Sequence, residues 1–184
     1  AGFHNFYDET KYLAEVEVEK LKKDYPVTIF RPAVVVGDSH TGETVKYDGI
    51  YYVINYIRKF PALFHLINVG NDDVKVNLVP VDFVVDGIFA LSKDEAAIGK
   101  TIALADPNAL TTAEACDAIS EAICGKKSVA KLPPKLMQRL LMLPFTPAFS
   151  GLPHEGVPYF FSPQEFDTSV ATELLSKHNI SCPN

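Results

Sequence analysis

VTIFRPAVVV, residues 27–36, is apolar at successive positions, with Arg31 as its one charge. A half-solvated strand alternates apolar and polar residues. A strand covered on both faces of a parallel sheet does not. The stretch therefore predicts a buried parallel strand. Pro32 has no N–H to give to a central ladder. Regular pairing is expected to end near Arg31, leaving the following backbone free to contact something else.

Upstream, residues 5–23 read as a helix. Asn5 can cap it, with Asp8 three residues on. Asp8 and Glu9 fall in the first turn and Lys20, Lys22 and Lys23 in the last, as the helix dipole favours. Tyr25-Pro26 ends it. Tyr7 and Lys11 stand four residues apart on one face. Such a pair is ordinarily part of a solvated helix surface. It also has a chemical use: a phenol ionises near pH 10, and a neighbouring ammonium favours the phenolate. The result is a general acid/base for an alcohol oxygen.

Downstream, residues 37–46 (GDSHTGETVK) form a turn-rich loop. Helices are expected over 51–60, 82–92, 111–123, from Pro133 onward, and over 167–178, with strands over 101–105 and 128–132. Residues 66–69 and 74–78 read as short strands around the 70–73 turn. Asp82 is expected to cap its helix, and Thr111 with Glu114 to form a capping box. Residues 144–163 are rich in proline and glycine and read as an irregular loop. Strands alternate with helices, so the class is α/β. A doubly wound nucleotide fold needs about five or six parallel strands, and this chain offers two or three.

The 184 residues carry a net charge of −6, which gives no basic surface for nucleic acid or anionic lipid. No apolar run approaches the roughly 18 residues of a membrane span. Three cysteines without a CxxC pair suggest free thiols and a cytoplasmic location. His4, His40, His65, His154 and His178 show no metal-ligand spacing. Asp72-Asp73 reads as a solvated turn, and no G-x-S-x-G elbow is present. The apolar segment 136–143, like Tyr51, Tyr52 and Tyr56, suits either core packing or the wall of an apolar channel. The opening Ala1-Gly2-Phe3-His4-Asn5 lacks Met and runs straight into a helix start, which suggests a chain cut from something longer.

YDETKYLAE, then TIFRPAVVVGDSHTGET, then NLVPVDFVVDGIFAL, in that order, resemble the extended short-chain dehydrogenase/reductases over about residues 3–105. RPAVVVGDSHTGE with DGIYY, and the late FSPQEFDTSVATELL, look most like the fatty-acyl and thioester reductase branch. The resemblance implies the C-terminal portion of a Rossmann-like doubly wound fold plus a small α/β substrate domain. Residues 1–37 and 78–105 would be the remainder of the dinucleotide-binding domain, and 38–77 and 106–184 the substrate-binding subdomain. It implies NADP or NAD as cofactor and an acyl thioester or carbonyl compound as substrate. Tyr7 would be the acid/base. Lys11 would hold the nicotinamide ribose, and the backbone of Pro32, Ala33, Val34 and Val35 would meet the carboxamide. Ser39, His40 and Thr41 would line the substrate mouth.

The family's Gly-rich phosphate loop, ribose selector and catalytic Ser or Thr lie upstream of its Tyr, and none is found in this sequence. Gly37-x-x-x-x-Gly42 does not replace them, since Glu43 stands where a phosphate loop has Lys. The chain is therefore expected to be inactive alone, to pair with an N-terminal half, or to self-associate through the bare flanks of its 27–31 strand. An epimerase or dehydratase of the same superfamily, and a non-catalytic binding domain on that scaffold, are the alternatives.

Overall fold

A computed structural model describes residues 6–133, 135, 136, 139, 142, 143 and 164–183. Asn5, most of the apolar segment 136–143 and all of 144–163 lie outside the described residues, so the expectations for them stand as given. Helix α1 (Phe6–Leu21) leads into strands β1 (Ile29–Pro32) and β2 (Val34–Val36). Helices α2 (Ile50–Lys59) and α3 (Pro61–Leu66) precede β3 (Ile67–Asn68) and β4 (Leu78–Pro80). Helix α4 (Val81–Leu91), strand β5 (Thr101–Leu104), helix α5 (Thr112–Cys124), strand β6 (Ala130–Lys131) and helix α6 (Ser169–Ser176) complete the order.

The class is α/β, and all strand pairs are parallel: β1 with β5, β2 with β4, β3 with β6. The core packs α4 and α6 against β4 and β5 through Val79, Phe83, Leu91, Ile102, Leu104 and Leu174. Gly87 lies in this contact, where a Cβ would stand 3.4 Å from a Leu104 methyl, an ordinary packing distance. A second group joins α2, α3 and α5 to β3. Its buried polar centre, Asn68, is satisfied: its amide donates to the Ala113 carbonyl (2.9 Å) and to Asp117 (2.7 Å), and its oxygen accepts from Gly70 N–H (2.8 Å). The capping box forms as expected, with Thr111 and Glu114 each accepting from the other's backbone N–H.

Three expectations are corrected. Pairing does not stop at Arg31 but continues to Ala33, whose N–H reaches the Leu104 carbonyl at 3.0 Å. In a parallel ladder alternate residues bond to one side. Ile29 and Ala33 bond to the β5 side, so Pro32 points its donorless nitrogen the other way and costs the ladder nothing. Nor is the strand buried on both faces: Arg31, Pro32, Val34 and Val35 are exposed. The cause is that among the described residues β1 has a neighbour on one side only, and α1 contributes no buried residue. Finally, 66–69 and 74–78 do not form a hairpin. β3 pairs with β6, β4 pairs with β2, and Lys75 makes an isolated antiparallel bridge with Thr111. Helix α3, which the sequence reading missed, starts with Pro61 at a position where a missing N–H is harmless.

Candidate active site

Helix α1 lies along the sheet with its direction opposed to β1. Near its C-terminal end, Glu19 and Lys22 bond the Thr101 hydroxyl, each at 2.8 Å. One turn earlier, Glu15 takes the Arg31 guanidinium. Tyr7 lies eight residues before Glu15, about 12 Å along a helix. Val35 lies four residues beyond Arg31, about 13 Å along a strand. Tyr7 therefore lies in the N-terminal half of α1, away from the Glu19–Thr101 contact. Lys11 shares its face, with Nζ 5.7 Å from the Tyr7 ring centre. Tyr7 is 67 % exposed.

Along β2, Val34 N–H bonds the Asn77 carbonyl at 3.1 Å. By the same alternation Val35 turns its backbone away from β4. Pro32 and Ala33 thus close the β1–β5 ladder and Val34 and Val35 pair with β4, with Pro32, Val34 and Val35 exposed. A further cation, Lys46, stands near this end. Its pKa is raised, chiefly by Asp48 at 2.7 Å and more weakly by the Tyr7 and Tyr52 phenols. This irregular segment has no periodicity from which the Lys46–Asp48 pair could have been read.

The loop after β2 folds on itself. Asp38 N–H bonds the Glu43 carbonyl (2.9 Å), and Gly42 N–H bonds the Asp38 carbonyl (2.8 Å). Asp38 Oδ1 accepts from His40 N–H, Thr41 N–H and the Thr41 hydroxyl at 2.8–3.1 Å. The Thr41 and His40 N–H groups, taken first, hold the Asp38 carboxyl below the usual range. Gly37 is required here, because a Cβ would meet the Glu43 carbonyl oxygen at 2.8 Å.

Beneath the loop is a cavity of about 950 Å³. Ser39 and His40 line it, with Ile50, Tyr51, Phe83 and Leu110 among its apolar walls. Thr41, Tyr7 and Lys11 are not in its lining. The expected site residues thus fall into two groups: the Tyr7/Lys11 face and strand end, and the Ser39/His40 mouth. Tyr51 donates no longer to either reading alone; its ring lines the cavity and its hydroxyl accepts from Gly37 N–H at 2.8 Å.

Asp82 is not the cap of α4. Pro80 holds that position, and Asp82 in the first turn accepts from Ser39 N–H (2.8 Å) and from the Ser39 hydroxyl (2.6 Å). These bonds, the hydroxyl first, lower its pKa. Asp72 pairs with Lys131 at 2.6 Å. Among the described residues no group of three His, Cys, Asp or Glu could hold a metal, and no helix is long and apolar enough to cross a membrane.

Residues 1–88 match the model of the NAD-binding family described as male sterility protein. The chain is similar to that family over this first part of its length. It is similar to the Fatty acyl-CoA reductase wat of Drosophila melanogaster, 34 % identical over 93 residues, which is 50 % of this chain and 18 % of that protein. It is also similar to the non-canonical nonribosomal peptide synthetase cpsA of Aspergillus campestris, 28 % identical over 99 residues, 53 % of this chain and 9 % of that one. Among solved structures, the terminal R domain of the myxalamid PKS-NRPS pathway superposes with a TM-score of 0.73 at 22 % identity, covering 97 % of this chain and 45 % of that one. The thiolation-reductase di-domain of an archaeal non-ribosomal peptide synthetase gives 0.69 at 20 % identity, covering 100 % and 38 %. These structures show a Rossmann-like α/β fold for the chain. The chain spans less than half the length of each of these relatives.

Proposed function

We propose that the complete protein containing this chain reduces an acyl thioester or a carbonyl compound with NADPH or NADH. The observation that supports this reading is the register of α1 on β1, set by Glu15–Arg31 and Lys22–Thr101, in a helix that carries Tyr7 and Lys11 toward the end at which β1 and β2 run out. That is where ligands bind in open α/β sheets.

The residues suit one half of a dinucleotide. A phenol, an ammonium and a strand-end backbone fit a nicotinamide and its ribose. The N–H groups of His40 and Thr41 are spent on Asp38, so the 37–42 loop is no cradle for the pyrophosphate, and the rest of the protein would supply that. When bound, the cofactor supplies the hydride. Tyr7 Oη gives the proton to the substrate oxygen. Lys11 holds the ribose hydroxyls and favours the phenolate left behind. The backbone of Pro32, Ala33, Val34 and Val35 orients the carboxamide, and Ser39, His40 and Thr41 form the mouth through which substrate enters.

In this reading 1–37 with 78–105 complete the dinucleotide-binding domain, and 38–77 with 106–184 form the substrate subdomain, whose α6 packs back onto α4. The free edge of β1 receives a strand from the N-terminal half, and the isolated chain is inactive. Its three free cysteines suit a cytoplasmic setting. The test is Tyr7→Phe in the complete protein, assayed by NADPH consumption with palmitoyl-CoA. Turnover should fall at least about 100-fold with cofactor affinity and Tm unchanged. Undiminished turnover sinks the assignment.

A further inference from the structure

The loop between β2 and α2 is rigid within itself and lightly tethered to the rest of the molecule. Within 37–43 the internal bonds are the two backbone bonds between Asp38 and its partners Glu43 and Gly42, the three that Asp38 Oδ1 accepts, and one from Glu43 N–H to the Thr41 hydroxyl. The described hydrogen bonds from 37–43 to other elements come down to two side chains. Tyr51 of α2 accepts from Gly37 N–H, and Asp82 of α4 accepts twice from Ser39. Ser39 is exposed, so its N–H and hydroxyl had water as an alternative partner. The Asp82 carboxylate, 21 % exposed, instead takes both, with His40 Nε2 3.9 Å away. Asp82 is held on the first turn of α4, whose next residues Phe83 and Val84 are core.

We propose that Asp82 is a positioning residue for the acyl substrate: by gripping Ser39 from the rigid start of α4, it fixes the 37–43 loop as one piece and holds His40 over the cavity. This rests on the reductase reading and adds to it a residue of the cavity lining that acts through Ser39. A charge-assisted pair of bonds from one residue is strong for its size. Losing it frees one end of the loop without dissolving the turn that Asp38 maintains. Substrate binding should then weaken more than the chemical step.

The test uses the complete protein with NADPH and palmitoyl-CoA as probe, and the variants Asp82→Ala and Ser39→Ala. In Asp82→Ala the KM for palmitoyl-CoA should rise about tenfold, with kcat and the KM for NADPH each within about threefold. Ser39→Ala, which keeps the backbone bond, should show a smaller rise. The double variant Asp82→Ala/Ser39→Ala should be no worse than Asp82→Ala alone, because both remove one interaction. An unchanged palmitoyl-CoA KM in both single variants overturns the proposal. So does a parallel loss of kcat, both KM values and Tm, which marks a purely structural role.

A second readout needs no turnover. By NMR hydrogen exchange, Asp82→Ala should speed exchange at the Ser39 amide while His40 and Thr41, bonded to Asp38, keep their protection. Loss of protection at all three together, or at none, contradicts a loop held as one piece by Asp82. If the wild-type protein consumes no NADPH with acyl thioesters, the reductase reading fails, and exchange still decides the role of Asp82.

Discussion

Arg31 in β1 donates from Nε to both carboxylate oxygens of Glu15 in α1, each at 3.0 Å. The pair bridges a helix with no buried residue to a strand with one neighbour. Glu15 holds the Arg31 pKa above its usual value. Because the Arg31 side chain is 58 % exposed, Glu15→Gln should cost stability only about 0–1 kcal/mol. Its effect should fall on α1. In the complete protein Glu15→Gln should lower kcat several-fold while Tm moves little; equal activity would show that α1 is positioned by other contacts.

The glycines order themselves by what a Cβ would meet. At Gly70 it would lie 2.4 Å from backbone atoms of Ala113, and at Gly37 2.8 Å from the Glu43 carbonyl oxygen. At Gly87 it would lie 3.4 Å from a flexible Leu104 methyl. Gly70→Ala should destabilise most, by about 3 kcal/mol or more, and Gly37→Ala by about 1–3 kcal/mol. Gly87→Ala, in mid-helix, gains up to about 1 kcal/mol of helix propensity and should be nearly neutral. Urea melts of the three variants test the order.

Acid should weaken the fold through Asp117, Asp38 and Asp82. Burial pushes the Asp117 carboxyl up, but the Ser128 and Asn68 hydrogen bonds outweigh it and the net direction is down. Asp38 and Asp82 are lowered as well. A carboxyl lowered in the fold contributes stability that is fully present above its unfolded pKa, near about 3.9. That contribution is lost as pH falls through the folded value. Urea midpoints should therefore hold from neutrality to about pH 5 and fall below about pH 4. Asp117→Asn should be less stable at pH 6 and should show a shallower acid loss.

The thiols should react unequally. Burial, helped by Asp117, pushes Cys116 up to about 12, and burial with Asp106 and Asp82 pushes Cys182 to about 11. Both stay protonated at pH 8, and the thiolate is the nucleophile. Cys124 is half-exposed at the end of α5. With a disulfide reagent at pH 8, one thiol should react promptly and the other two only after denaturation; three fast thiols would contradict the burial.

The isolated chain should self-associate. Phe6, Tyr12, Leu13 and Leu21 of α1 are each at least 46 % exposed, beside the open edge of β1. Light scattering should give a mass above 20.3 kDa, and Leu13→Lys with Phe6→Lys should reduce it. A monomer at all concentrations would show that this surface is tolerated in water.

The sequence alone determined the local structure and the chemistry available. The apolar run at 27–36, the i,i+4 spacing of Tyr7 and Lys11, and the Thr111/Glu114 box depend on neighbours within a turn or two, where backbone geometry leaves few choices. Only the tertiary structure decided the pairings. Strands β3 and β4 each found a distant parallel partner, and Lys75 an antiparallel bridge to Thr111, because strand pairing depends on what the rest of the chain leaves available. The same held for Asp82. Its place near a helix start suggested a cap, but a carboxylate takes whichever donors packing brings within 3 Å, and here packing brought Ser39.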